Sequence, residues 1–148
     1  MDRQANASYN RDFYTWIRWN TDLLRQGRLS EIDAENIAEE LESMGKLDKR
    51  QLINRLIVLL IHLLKWEFQS ERRSKSWKST IIEQRRRILQ LLEDSPSLHH
   101  LFKEKMSYAY QTAVKQASNE TGFEIHIFPQ TCPYLLTEQI LDDEFYPE

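Results

Sequence analysis

Cysteine is almost absent from this sequence, with Cys132 the only one among 148 residues. A single thiol cannot form an internal disulfide, and no CxxC pair or suitably spaced histidine accompanies it, which argues against a disulfide framework and a zinc finger. This cysteine usage is typical of a reducing compartment, so we expect a cytoplasmic protein. HExxH, glycine-loop and GxSxG motifs are also missing, and we expect neither a metal nor a cofactor.

Glycine and long hydrophobic runs are scarce as well. The run from Leu56 to Leu64 is far shorter than a membrane span, and the first residues lack the apolar stretch of a signal peptide. We therefore expect neither membrane insertion nor secretion. With 41% hydrophobic and 29% charged residues, the chain resembles an ordinary soluble protein, and its length predicts a single helical domain over 1–148.

The apolar residues recur at helical spacing and predict an all-α fold. We expect a compact bundle of about five helices around a central apolar helix at about 48–68, with a short extended segment in FEIHIF and a small C-terminal helix in LLTEQILDDEF. The expected boundaries are Asn10 or Asp12 to Gly27, Ser30 or Asp33 to Gly45, Asp48 to Phe68, Ser74 or Ser76 to Pro96, and Pro96 or Ser97 to Asn119.

The central helix contains LIVLLIHLLKW, in which a histidine and a lysine interrupt the most apolar segment of the chain. At about 100° per residue, Arg55, His62 and Lys65 fall in one narrow stripe, while the other positions are largely apolar. A helix of this kind is normally surrounded by neighbours. His62 and Lys65 therefore lie either on an exposed strip or in a polar contact between helices.

Arg85 is a second polar residue on an apolar face, because it falls between Ile81, Ile88 and Leu92. A buried guanidinium requires partners, and the second predicted helix offers Glu35, Glu39, Glu40 and Glu42. We predict that Arg85 bonds a glutamate of that helix. The resulting polar network is expected to contain Glu39, Glu40, Glu42, His62, Lys65, Arg85 and Asn20. Such a network would either fix the register of the helices or form a reactive or ligand-binding site.

The segment WEFQSERRSKSWKS combines tryptophans with basic residues in a chain whose formal net charge is only -3. Its cations include Arg72, Arg73, Lys75 and Lys78. Such mixing is found in nucleic-acid patches, where aromatic rings stack on bases and cations neutralise phosphates. It is found equally where aromatic side chains anchor a solvated loop in the core, and Trp77, on the apolar side of its helix, favours that interpretation.

Several motifs in order resemble a bacterial family known as domain of unknown function 29. They are DFYTW, ENIAEELESMG, HLLKWEFQ, ERRSKSWKSTIIEQRR, SPSL and CPYLLTEQILDDEFYP. The resemblance covers nearly the whole chain and implies a compact, mostly helical intracellular protein without a known activity. The family's recurrent polar positions fall here on Glu39, Glu40, Glu42, His62, Lys65, Trp77 and Arg85. Leu47 departs from the small polar residue expected near the start of the third predicted helix.

Two functional hypotheses follow. The first is a protein-interaction or regulatory module without enzymatic activity, which binds another protein or a second copy of itself. The alternative is a nucleic-acid-binding or ribonuclease-like enzyme that uses Arg55, His62 and Lys65, since an arginine and a histidine two turns apart on one helix resemble the pair in small helical ribonucleases. We expect no membrane partner.

Overall fold

The computed structural model describes residues 8–148, which form five α-helices joined by short turns. The helices are α1, Phe13–Arg25; α2, Ala34–Phe68; α3, Lys75–Asp94; α4, Leu98–Glu104; and α5, Met106–Thr121. Short 3-10 turns lie at Ser70–Arg72 and Ile125–Ile127, and a π-helical turn spans Leu136–Ile140. The described part of the chain contains no strand, and the predicted all-α fold is confirmed.

Side-chain caps and glycines fix several of these helix ends. Asp12 accepts a hydrogen bond from the backbone N–H of Thr15 at 3.2 Å, and Ser74 accepts one from that of Trp77, also at 3.2 Å. Gly27 and Gly122 follow α1 and α5 with φ angles of 73° and 78°, a conformation that glycine adopts without strain. The predicted start and end of α1 and the predicted start of α3 are thus confirmed.

The predicted break at Gly45 is wrong, because α2 runs through it as one helix of 35 residues. Gly45 does not have the positive φ that ends a helix at glycine. An isolated glycine costs a helix about 1 kcal/mol relative to alanine, which weakens the helix without stopping it. The residues around Gly45, including Lys46 and Leu47, are compatible with helix, so the helix continues through Gly45.

Two further boundaries also differ from the prediction. The fifth predicted helix is divided at Lys105 into α4 and α5. The segment expected to be extended contains a 3-10 turn at Ile125–Ile127, and the flanking Glu124 and Phe128 have extended backbone.

Backbone contacts divide the chain into a first unit that ends at Leu47 and a second unit, Asp48–Glu148. In the second unit the residues of α2 from Leu52 to Leu64 are the centre of the core, and six of their leucines are fully buried. The predicted central apolar helix is therefore confirmed. The described residues include no helix with the length and apolarity needed to cross a membrane. The single domain stays a prediction.

Candidate interaction site

In the first unit, a buried polar cluster ties α1 to the start of α2. Asp33, directly before α2, accepts a hydrogen bond from the indole N–H of Trp16 at 3.0 Å. The backbone N–H of Asp33 donates to the side chain of Asn20 at 2.8 Å, and the Asn20 amide donates to the carbonyl of Trp16 at 2.9 Å. All three residues are at most 4% exposed. Because each of these buried polar groups has a hydrogen-bond partner within the cluster, the cluster fixes the orientation of Trp16.

A second set of contacts joins the two helices further along α2. The Tyr9 hydroxyl donates to the Glu40 carboxylate, and this hydrogen bond raises the pKa of Tyr9 to about 12. The Tyr9 ring lies 4.7 Å from that of Trp16, and the Phe13 ring stacks on Trp16 at 5.6 Å. Since Tyr9 reaches Glu40 while Asn20 reaches Asp33, α1 and the first part of α2 run antiparallel as a helical hairpin.

An apolar groove of about 460 Å³ lies between these two helices on one face of the hairpin. We call it the hairpin groove. Trp16 forms part of its lining and is itself buried. Ile37 in the lining is half-buried. The remaining large apolar residues of the groove are between 39% and 63% exposed, and they are Phe13, Ile17, Leu24, Leu41 and Met44. Large apolar side chains that are contiguous and exposed are typical of an interaction surface, whereas single exposed ones are ordinary.

The polar groups of the hairpin groove offer little chemistry. Asn20 and Glu40 line it, but their side chains are already bonded to residues of the hairpin. No histidine or carboxylate among residues 8–148 forms a hydrogen bond to the remaining hydroxyl, that of Thr21, which would activate it as a nucleophile. The groove therefore suits the apolar stripe of another helix better than a reaction.

Comparison with known proteins agrees with the resemblance seen in the motifs. The model of the family described as Domain of unknown function DUF29 matches residues 8–146. The chain belongs to this family. Neither a curated protein nor a solved structure matches the chain.

In this DUF29 chain, Arg85 is fully buried, but its predicted glutamate partner is wrong. Its guanidinium donates to the backbone carbonyls of Ile140 at 2.8 Å and Gln139 at 3.1 Å, and it lies 5.5 Å from the Tyr146 ring. Nη1 is buried without a hydrogen-bond partner among the described residues. Carbonyls in the last turn of a helix lack intrahelical partners. The turn Leu136–Ile140 therefore supplies backbone acceptors to Arg85 in place of a carboxylate.

The other members of the predicted network are bonded separately in the DUF29 chain. His62 Nδ1 donates to the carbonyl of Val58 at 2.8 Å, and burial lowers the pKa of the imidazole. Lys65 Nζ lies 3.5 Å from Glu120 and 4.7 Å from the centre of the Trp77 ring. Asn20 and Glu40 belong to the hairpin, and Glu39 and Glu42 are exposed. The hydrogen bonds of the described residues do not connect these side chains into one network.

The three candidates for catalysis also have separate partners. Arg55 donates to Gln84 at 3.3 Å, whereas Lys65 is enclosed between Trp77 and Glu120. In the described part of the chain none of Arg55, His62 and Lys65 bonds another. The arrangement therefore does not bring an acid, a base and an anion-stabilising group together around one open point.

The candidate nucleic-acid patch is exposed at Arg72, Arg73, Lys75 and Lys78, but its aromatic rings have partners within the chain. Arg73 lies 5.0 Å from the centre of the Trp66 ring and donates to the carbonyl of Trp66 at 2.7 Å. Lys65 covers Trp77. Rings that are already stacked on cations of the same chain are poor platforms for bases.

Sequence reasoning missed the part that two residues play beside the hairpin groove. Asp33 was recognised only as a helix cap, although its second role is to accept the Trp16 indole N–H. Tyr9 was not singled out at all. A tryptophan on an apolar stripe needs an acceptor for its N–H, and an acidic cap one helix away was the available signal.

Proposed function

We propose that this chain is a protein-interaction module without enzymatic activity, and that the hairpin groove is its binding surface. The observation that supports this most directly is the row of partly exposed Phe13, Ile17, Leu24, Leu41 and Met44 between two helices. Covering such a surface lowers the free energy by about 25 cal/mol for each Å² of apolar area removed from water.

The rigidity of the groove supports the same function. Trp16 is bonded to Asp33 and packed against Phe13, so the lining is ordered before a partner arrives. A surface that is already ordered loses less conformational entropy on binding, and more of the contact energy then appears as affinity.

Site-specific photo-crosslinking in the native cell tests this function. A photoreactive amino acid replaces Leu41 in the groove or, as the control, Tyr108, which is 59% exposed on α5. We expect a discrete protein adduct from position 41 and none from position 108. Adding Ile17→Glu should remove the adduct, because it places a charge in the apolar lining. Absence of an adduct at position 41, or equal adducts at both positions, would contradict the proposal.

A further inference from the structure

We infer that α2 has a second state, in which the helix is broken between Gly45 and Asp48 while the helical segments on either side persist. The signals for such a break are present in the sequence, although the helix of 35 residues does not use them. Local signals that disagree with the observed structure are expected at functional or strained positions. The inference rests on the proposed function in one respect, because the break changes how the hairpin groove is attached to the rest of the chain.

Gly45 carries the signal for a helix end. Glycine directly after a helix adopts a positive φ without strain, as Gly27 and Gly122 do in this chain. An added Cβ at Gly45 meets nothing within 4 Å, so no packed neighbour requires a glycine at this exposed position. Glycine is also the poorest helix former after proline, so it weakens the continuous helix while it permits the broken one.

The residues after Gly45 carry the signal for a helix start. Asp48 and Gln51 have the spacing of a capping box, in which each side chain bonds the backbone N–H of the other residue. Leu47 and Leu52 have the spacing of a hydrophobic staple, in which the residue before the cap packs against the fourth residue of the helix. Neither motif forms in the continuous helix, where Asp48 is helical and Leu47 is 50% exposed. The break therefore exchanges a few helical backbone bonds for two capping bonds and one apolar contact.

The middle of α2 has little support from outside the helix. All ten residues from 41 to 50 are helical and exposed, and they span nearly three turns, so no face of the helix is covered there. None of the ion pairs in the described part of the chain includes any of them. Backbone contacts separate the two units at the same point, between Leu47 and Asp48. A helical stretch held chiefly by its own backbone bonds opens locally more easily than one within a core.

The break leaves the hairpin groove intact. Every residue that lines the groove precedes Gly45, and the last of them is Met44. The buried cluster of Trp16, Asn20 and Asp33 also lies on that side of the break. Opening therefore replaces a stiff helical connection by a short flexible one, and the groove stays folded while its attachment becomes adjustable.

Chemical-exchange saturation transfer NMR on the isotope-labelled full chain tests the break, because it reports the chemical shifts of a minor state that exchanges with the major one. We expect a minor state in which the Cα shifts of residues 45–47 leave the helical range, while those of residues 36–43 and 50–64 remain helical. Coil shifts throughout residues 34–44 would show that the hairpin unfolds as a whole, and would overturn the inference. The absence of a minor state over residues 45–48 would contradict it equally.

Three variants identify the groups that set the population of the minor state. Gly45→Ala should lower it about tenfold or more, because alanine favours the continuous helix and is strained at positive φ. Asp48→Ala should lower it about threefold or more, because the cap of the second segment is lost. The control Lys49→Ala exchanges one good helix former for another outside the capping motif, and should change it by less than about twofold. Equal populations in Asp48→Ala and Lys49→Ala would refute a capped break.

The two proposals fail independently. A chain that lacks the minor state and still gives an adduct at position 41 loses the break and keeps the proposed function. A chain that shows the minor state and gives no adduct at position 41 keeps the break and loses the proposed function.

Discussion

The Arg85 side chain holds the C-terminal segment against α3 through charged hydrogen bonds to two backbone carbonyls. Arg85→Ala should lower the free energy of unfolding by about 2–4 kcal/mol, because it removes both bonds and takes the donor away from the buried Ile140 carbonyl. Arg85→Met should recover part of the packing and neither hydrogen bond. Urea denaturation measures both effects, and hydrogen exchange should accelerate in residues 136–141.

Arg86 provides the matched control for this prediction. It is exposed and pairs with Glu83 on the surface of the same helix at 2.9 Å. Exposed pairs contribute little to stability, so Arg86→Ala should leave the denaturation midpoint nearly unchanged. Equal losses from Arg85→Ala and Arg86→Ala would show that the contacts of Arg85 with the C-terminal segment do not stabilise the fold.

His62 should make stability depend on pH in one direction. Burial, aided by the nearby charge of Lys65, lowers the imidazole pKa in the folded chain, although the Val58 carbonyl and Glu120 oppose this. The unfolded chain, with an imidazole pKa of about 6.5, then binds the proton more readily. Stability from this group is present above that pH and falls as the pH is lowered through the folded-state pKa.

Urea denaturation at a series of pH values checks the His62 prediction. His62→Gln should flatten the decline below about pH 6.5, the ordinary imidazole pKa. His99→Gln changes an exposed histidine and should keep the wild-type slope. An unchanged slope in His62→Gln would assign the acid sensitivity to other groups.

At the scale of the helices, Gly45 shows where a sequence pattern reaches its limit. Glycine ends α1 and α5 at positive φ, and the ends predicted from the sequence, at Gly27 and Asn119, lie within two residues of the observed ones. The same residue type lies inside α2 at Gly45, and only the backbone conformation distinguishes the two situations.

Periodicity predicted correctly that Arg85 is buried, because burial follows from the spacing on its own helix. Its partners follow from which segments pack together, and spacing along one helix carries no such information.

Gly45→Ala should therefore stabilise the chain. The position is exposed and helical, and an added Cβ meets nothing within 4 Å. Alanine restricts the unfolded chain and favours helix, so the free energy of unfolding should rise by about 0.5–1 kcal/mol. Thermal and urea denaturation at one protein concentration measure the gain.

Gly122→Ala is the control for Gly45→Ala, since space is also open there but φ is 78°. An L-residue in that conformation is strained by about 1–2 kcal/mol, so this variant should be less stable than the wild type. If both substitutions were destabilising, Gly45 would be a conformationally required residue, and the continuous helix would need another explanation.

At the scale of the whole molecule, the buried apolar residues are distributed very unequally between the two units. The hydrophobic core runs from Leu52 to Ile140, all within the second unit. The first unit buries few apolar side chains, chiefly Trp16 and Leu23, and depends on the polar contacts of Asp33. A fragment of 47 residues with so small a core is rarely stable alone.

This distribution predicts that residues 48–148 fold without residues 1–47. The fragment keeps the fully buried leucines of α2 and both carbonyl acceptors of Arg85, so its core and its C-terminal contacts are complete. Circular dichroism should show a helical fragment with one cooperative urea transition, and Arg85→Ala should destabilise it by about the same 2–4 kcal/mol as in the full chain. The reciprocal fragment, residues 1–47, should be largely unfolded. A non-cooperative transition in 48–148 would show that its core needs the hairpin in order to form.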